Sequence, residues 1–300
     1  MTVFDQVAAR ASSRGGRIVM IGQGDGSIEA AAVDLKNRGF SAVTVVGPGG
    51  IDPAGDPRLG AVATVLRECW PERVRDGIHA LDLAANPLLF AAGLTARGDV
   101  DVCLCGTAVP LDALEEAARW VTGPDRAGKG RGQVSYLRTA DGRLLTLVVP
   151  DSAGPLDARG VAALAIGAAA HRGRVLGDTP RVGLLVAPPT QDASHADAEL
   201  ALTELRTQAP GLSASVEWGW AVLGDDADPA RFRTSPNVLI FPDPVSGHLA
   251  QVLLRDATGF RAMGPLFPGG RWTLAGVPEG ATSAEIASVA LLAVAGLAGA

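Results

Sequence analysis

Few residues of this chain are of a type and placement to do chemistry, and most of those follow the ends of short apolar runs. His248 follows Gly247 just after a run that ends at Asp243. An imidazole at the start of a helix can hydrogen-bond an anion or act as a base, or it can serve as a plain polar cap. Asp243 reads first as a residue that caps or orients the loop, with a role in a site as the alternative. Cys105 stands at the carboxyl end of an expected strand, where ligands bind in open α/β sheets, although an inert buried thiol is the preferred reading over a nucleophile. His195, in Ser194-His195-Ala196-Asp197, suits the exposed first turn of a helix, and His79 and His171 have no partner in sequence. Gly22-Gln23-Gly24-Asp25-Gly26 lies between a strand and a helix, but its spacing falls short of GxGxxG, so nicotinamide binding is not supported. There is no HExxH, no paired Cys/His set and no Gly-Lys-Ser loop, so neither a metal nor a nucleoside triphosphate is expected.

The elements that would position these residues alternate. Arg17 to Ile21 reads as a strand, Gly22 to Gly26 as a turn and Ser27 to Arg38 as a helix, with Val43 to Val46 the next strand. Asp56 to Leu66, Ala80 to Ala96 and Leu111 to Val121 read as helices, and Val102 to Leu104 as a short buried strand. Near-continuous apolar strands alternating with helices imply a parallel sheet covered on both faces. Thr122 to Gly132 reads as an exposed loop. Gln133 to Leu137 and Leu144 to Val149 form an expected antiparallel hairpin around Asp141-Gly142. A long alanine-rich helix from Leu156 to Arg172 leads back to a strand at Val182 to Val186.

Composition limits the possible partners. A 300-residue chain that is 47% hydrophobic can bury a sizeable core, in one large α/β domain or in two lobes. The net charge of −6 and the scattered arginines give no basic face for nucleic acid. Three cysteines without a CxxC pair read as reduced thiols of a cytoplasmic protein. Met1 to Arg17 lacks the pattern of a signal peptide, and the apolar run Ile286 to Ala300 is too short to span a membrane and reads as a buried terminal helix.

Several stretches, in order, resemble the phosphate acetyltransferase and phosphate butyryltransferase family. They are Ile51-Asp52-Pro53 with Asp56-Pro57-Arg58-Leu59, Asn86 to Ala92, Gly98 to Asp101 with Cys105-Gly106, and Ala214 to Glu217. The most specific is Ser235-Pro236-Asn237-Val238-Leu239-Ile240-Phe241-Pro242-Asp243, followed by Ser246-Gly247-His248, Gly264-Pro265 and Gly280. The resemblance covers nearly the whole chain. It implies an α/β fold of two lobes, each an open parallel-type sheet covered by helices, in an isocitrate/isopropylmalate dehydrogenase-like architecture with an inter-lobe cleft. The expected lobes are 1–135 with 285–300, and 136–284. The family usually forms a homodimer and moves acyl groups between coenzyme A and phosphate, so a coenzyme A thioester is the expected ligand, with no tightly bound cofactor.

Such chemistry needs cations and main-chain amides to hold a phosphate dianion, a carboxylate to help deprotonate a thiol, and a hydroxyl near sulfur. Against the family's Asp-Leu-Ser-Arg-Gly motif this chain has Gly276-Val277-Pro278-Glu279-Gly280, and a glutamate there repels phosphate. Other family arginines fall at Asp256, Asp112 and Ser27, and a Thr-Lys-Gly segment falls at Pro189-Thr190-Gln191. The family's acidic residue falls at Glu285, and an asparagine position at His248, which makes these two the catalytic candidates. Ser135 and Thr107 match small hydroxyl positions. Arg255 and Arg261 offer positive charge, or else lie on a solvated helix face. With Asp243, Gly247 and Glu279 these form the expected ligand-binding set. Three readings follow: an acyltransferase using an acceptor other than phosphate, an inactive homologue that binds a coenzyme A ligand or a partner protein, and a true phosphate acyltransferase in which Arg255, Arg261 and Arg271 supply the cations.

Overall fold

A computed structural model describes residues 2–22, 26–40, 42–47, 50–124, 131–138, 144–152, 154–186, 193–218, 235–258 and 261–299. The chain divides into two compact units, Met1–Asp125 with Met263–Ala300, and Arg126–Ala262. The chain therefore returns to the first unit at Met263, earlier than the boundary at 285 expected from sequence. The reason is strand pairing: β10 (Thr273–Gly276) runs parallel to β3 (Val102–Cys105) in the first unit.

In the first unit β1 (Arg17–Ile21) lies between β2 (Ala42–Val46) and β3, all parallel, and β10 follows beside β3. β9 (Arg261–Pro268) pairs antiparallel with β10. Strands covered on both faces alternate their side chains between two cores. Val19, Ile21, Cys103, Cys105 and Leu274 join one buried cluster with Val62, Leu66, Phe90 and Leu114, which come from the helices Leu59–Cys69, Pro87–Arg97 and Leu111–Thr122. The helix Ser283–Ala295 packs on Val3–Arg14 and Gly26–Asn37 and buries nearly all of its second half, as its apolar sequence implied.

The single helix expected over 80–96 is two helices, Gly77–Ala84 and Pro87–Arg97, bent by 99°. Asn86 accepts from the amides of Leu88 and Leu89 as a cap, and Pro87 occupies the first helical position, where its missing N–H is no loss. Among the described residues no single helix is long and apolar enough to cross a membrane.

In the second unit β4 (Gly132–Arg138) is antiparallel to β5 (Leu144–Pro150), and β8 (Val238–Ile240) joins β5 in parallel. β6 (Arg181–Val186) and β7 (Ser213–Trp218) extend the sheet beyond β8, also parallel. The expected hairpin pair is thus part of a larger sheet; its turn and most of the loop expected at 122–132 lie outside the described residues. One face of this sheet packs Leu137, Leu147, Val149, Leu239 and Phe241 against Ala250 and Leu254 of the helix Pro244–Thr258. The other face meets the helix Ala158–Leu176, where the Tyr136 hydroxyl lies 2.8 Å from His171 Nδ1. Arg172 Nη1 donates to Leu144 O and Thr146 Oγ1 at 2.9 Å and to Asn237 O at 3.1 Å, which ties that helix to β5 and to the start of β8.

Candidate functional site

Parallel strands bring their carboxyl ends to one edge of a sheet, and the loops leaving that edge carry the polar residues. In the second unit the edge is formed by the ends of β5 and β8 and by the start of antiparallel β4. Here Asp243 is the helix cap that its sequence position suggested: Oδ1 accepts from the Ser246 amide at 2.8 Å, and its carbonyl accepts from Ser246 Oγ at 3.0 Å. Gly247 is required by packing, because a Cβ there would stand 2.5 and 2.8 Å from the two γ carbons of Val149. The helix therefore lies close on β5, and His248, one residue on, is half-buried beside β4.

His248 Nε2 touches Gln133 Nε2, while Gln133 Oε1 is buried without a donor. Turning the amide over lets that oxygen accept from a His248 Nε2–H tautomer, which gives the buried oxygen the donor it otherwise lacks. In this arrangement Gln133 fixes the ring and leaves Nδ1 as the atom able to take a proton. Beside Gln133, Arg131 Nε stands 2.9 Å from Asp151 Oδ2, with both side chains largely buried. An ion pair withdrawn from water in this way is held by both partners, since removing one strands the other. Ser135 is buried on the same strand face as Gln133, two residues further from the edge. Gln133, Arg131 and Asp151 were not among the residues singled out from sequence. The available signals were a glutamine inside an apolar strand and an aspartate directly following Val148-Val149-Pro150.

In the first unit the corresponding edge carries the loops after β1, β3 and β10. Gly106 sits where a Cβ would meet Ile28 at 2.8 Å and Ile21 O at 3.0 Å, so the turn holding Thr107 is pressed onto the end of β1. Thr107 and Ser27 are half-buried there. The β10 loop holds half-buried Pro278 and exposed Glu279, followed by Gly280 at φ +74°, a left-handed turn that suits glycine. Glu285 belongs to the next helix start: its carboxylate accepts from Thr282 N at 2.9 Å and Thr282 Oγ1 at 2.8 Å, while Glu285 N donates back to Thr282 Oγ1. That is a capping box, a structural use of this carboxylate.

The structure also places the remaining candidates. Cys105 is fully buried beside Cys103, and the hydrogen bond between them together with burial pushes its thiol well up, so the nucleophile reading is set aside. Arg255 lies on the helix Pro244–Thr258 and Arg261 begins β9; their side chains lie outside the described residues. Arg271 is exposed, and Asp112 is in the first turn of the helix Leu111–Thr122. His79 Nδ1 accepts from Arg75 N at 3.2 Å. The side chain of His195, in the first turn of the helix Ala193–Gln208, and the segment Pro189-Thr190-Gln191 are outside the described residues. Among the described residues no group of three His, Cys, Asp or Glu could hold a metal ion.

Two α/β units, each with polar residues on the carboxyl edge of a helix-covered sheet, define an open-sheet α/β protein. The family model for phosphate acetyl/butaryl transferase matches residues 2–294, and the chain belongs to that family. A phosphate acetyltransferase from Paracoccus denitrificans is 27% identical over 289 residues, which cover 90% of this chain and 91% of the relative. Among solved structures, a phosphotransacetylase from Streptococcus pyogenes aligns with a TM-score of 0.78 at 14% identity, covering 98% of this chain and 97% of that one. The EutD phosphotransacetylase from Staphylococcus aureus aligns with a TM-score of 0.72 at 16% identity, covering 97% and 98%. These two likenesses show the fold.

Proposed function

We propose that this protein transfers an acyl group from a coenzyme A thioester to an acceptor other than phosphate. Family membership supports the acyl thioester. The observation that carries the choice of acceptor is the β10 loop, where Pro278 has neither hydroxyl nor amide hydrogen to offer and exposed Glu279 is an anion. A carboxylate beside an incoming phosphate dianion raises its energy, whereas a neutral amine or hydroxyl acceptor is indifferent to it. His248, with Nε2 turned to Gln133, presents Nδ1 as the base: it takes the acceptor's proton as the acceptor adds to the thioester carbonyl, and the thiolate leaves. Ser135, Thr107, Gly247, Arg255 and Arg261 complete the proposed ligand-binding set.

The test is release of free thiol from acetyl- and butyryl-coenzyme A. Release should require an added amine or hydroxyl nucleophile and be unchanged by phosphate, and His248→Ala should lower it by about 100-fold or more, the usual effect of losing a general base. Phosphate-dependent release with formation of an acyl phosphate would overturn this reading in favour of a true phosphate acyltransferase. That second reading is favoured by Arg131, a cation at the second unit's carboxyl edge that the motif comparison did not count. Thiol release absent under every condition, with coenzyme A still raising the melting temperature, would leave an inactive ligand-binding homologue.

A further inference from the structure

When an acceptor adds to a thioester carbonyl, negative charge develops on the carbonyl oxygen, and a donor placed to meet that charge lowers the barrier. The first turn of the helix Pro244–Thr258, beside His248, offers little of this kind. Pro244 has no N–H, the amides of Ser246 and Gly247 give to Asp243 at 2.8 and 3.3 Å, and the Ser246 hydroxyl gives to the Asp243 carbonyl. Among the described groups of that turn the Val245 amide is left, and a pair of main-chain donors cannot be assembled there.

A stronger donor at the same edge is Arg131. Its carbonyl accepts from the Asp151 amide at 3.1 Å, which carries the ladder of β4 and β5 one residue past Gly132. Arg131 and Gln133, two positions apart, therefore share one face of the sheet, with about 7 Å between their backbones. Gln133 is the residue that His248 touches. Arg131 keeps 17% of its side chain open against 5% for Asp151, so the pair is reached from the arginine's side. Asp151 Oδ2 stands 2.9 Å from Arg131 Nε, and a guanidinium carries more N–H donors than one carboxylate can use.

We infer that Arg131 is a catalytic residue whose terminal N–H groups hold the carbonyl oxygen of the acyl thioester, with Asp151 fixing the guanidinium. The inference rests on the acyl thioester of the proposed function. As the acceptor adds to the carbonyl carbon, the C=O electron pair moves onto the oxygen and toward these donors. His248 Nδ1 takes the acceptor's proton, and collapse expels the thiolate, to which that proton passes. With Asp151 beside it, the same arginine offers directed N–H groups to one developing charge and little net field to a phosphate dianion. Lysine in this place would hold Asp151 as a point charge, without a planar fork to share.

Difference infrared spectroscopy of acetyl-coenzyme A, isotope-labelled at the carbonyl carbon and bound to the full chain, reads this contact without turnover. The carbonyl band should fall in frequency on binding to the wild type and stay at its solution position in Arg131→Gln. In the thiol-release assay Arg131→Gln should lower kcat by about 100-fold or more, with KM for acetyl-coenzyme A changed by less than about threefold. Arg131→Gln leaves a buried carboxylate behind; should it not fold by circular dichroism, Arg131→Gln with Asp151→Asn removes both charges and carries the same expectations. A wild-type band that does not move overturns the inference, as does a band that moves equally without Arg131. Phosphate-dependent thiol release together with an arginine-dependent band would overturn the choice of acceptor and leave Arg131 in this role, so the two failures are told apart.

Discussion

Burial of His171 makes the second unit sensitive to acid by an amount that can be worked out. Its ring is enclosed between β4 and the helix Ala158–Leu176, with Nδ1 on the Tyr136 hydroxyl and Nε2 buried without a partner. Burial, with Arg174 nearby, lowers its pKa from the ordinary 6.5 to about 3. The unfolded chain therefore takes up a proton at a pH where the folded chain does not. The stability contributed by neutral His171 is complete above pH 6.5 and is lost as pH falls from there toward 3. Linkage gives a loss of about 2 kcal/mol between pH 7.5 and pH 5, rising to roughly 4 kcal/mol at pH 3. Urea denaturation followed by circular dichroism at pH 7.5 and pH 5, on the wild type and on His171→Gln, isolates this residue, because the carboxylates common to both cancel in the difference. The glutamine variant can be less stable at both values, but it should lose about 2 kcal/mol less than the wild type on acidification. Equal losses in the two proteins would mean that His171 is protonated in the fold, and the reasoning from its burial would fail.

Other substitutions test the packing that positions the site. Gly247→Ala sets a methyl against the stiff, branched Val149 side chain; overpacking should outweigh the gain in helix propensity for a net loss of about 1 to 2 kcal/mol in thermal unfolding. Arg172→Met leaves the carbonyls of Leu144 and Asn237 without that donor and should cost about 3 kcal/mol by urea titration. Thr282→Ala removes the cap of the helix Ser283–Ala295 and should lower stability by about 1 kcal/mol. Glu285→Gln can cap but cannot take a proton; stability should hold, and thiol release measured on the same variant separates a structural carboxylate from a catalytic one.

Much of the fold was legible because local and global signals agree in it. Arg17–Ile21 was placed to the residue, since a β-branched run between glycine-bearing turns has few other solutions. The buried terminal helix was readable from its lack of charge and from its length. The break at Asn86-Pro87 was not taken from sequence, although a capping asparagine followed by proline is a start signal; the continuous apolar pattern across it masked the boundary. The return to the first unit at Met263 could not be read locally either, because it depends on β10 pairing with a strand some 170 residues earlier. Of the candidate site, Asp243, Gly247 and His248 stand out in the sequence because they follow a recognisable strand. Gln133 escaped because periodicity shows that a polar residue interrupts an apolar face but not what meets it there.

That omission changes how the charges around the site are read. By motif position alone, the family arginines are replaced and Glu279 stands at one of those places. The structure adds Arg131 at the carboxyl edge of the second unit, but joined to Asp151, so the pair is close to neutral. A cation already engaged by a buried carboxylate exerts little net attraction on a phosphate dianion, whereas it can still orient a neutral group through the N–H donors it has left. Replacing Asp151 by Asn should therefore strengthen phosphate binding at this edge more than it alters binding of an amine acceptor, as measured by titration calorimetry with inorganic phosphate. Unchanged phosphate affinity in Asp151→Asn would mean that Arg131 does not face the acceptor, and the case for a neutral acceptor would then rest on Glu279 alone.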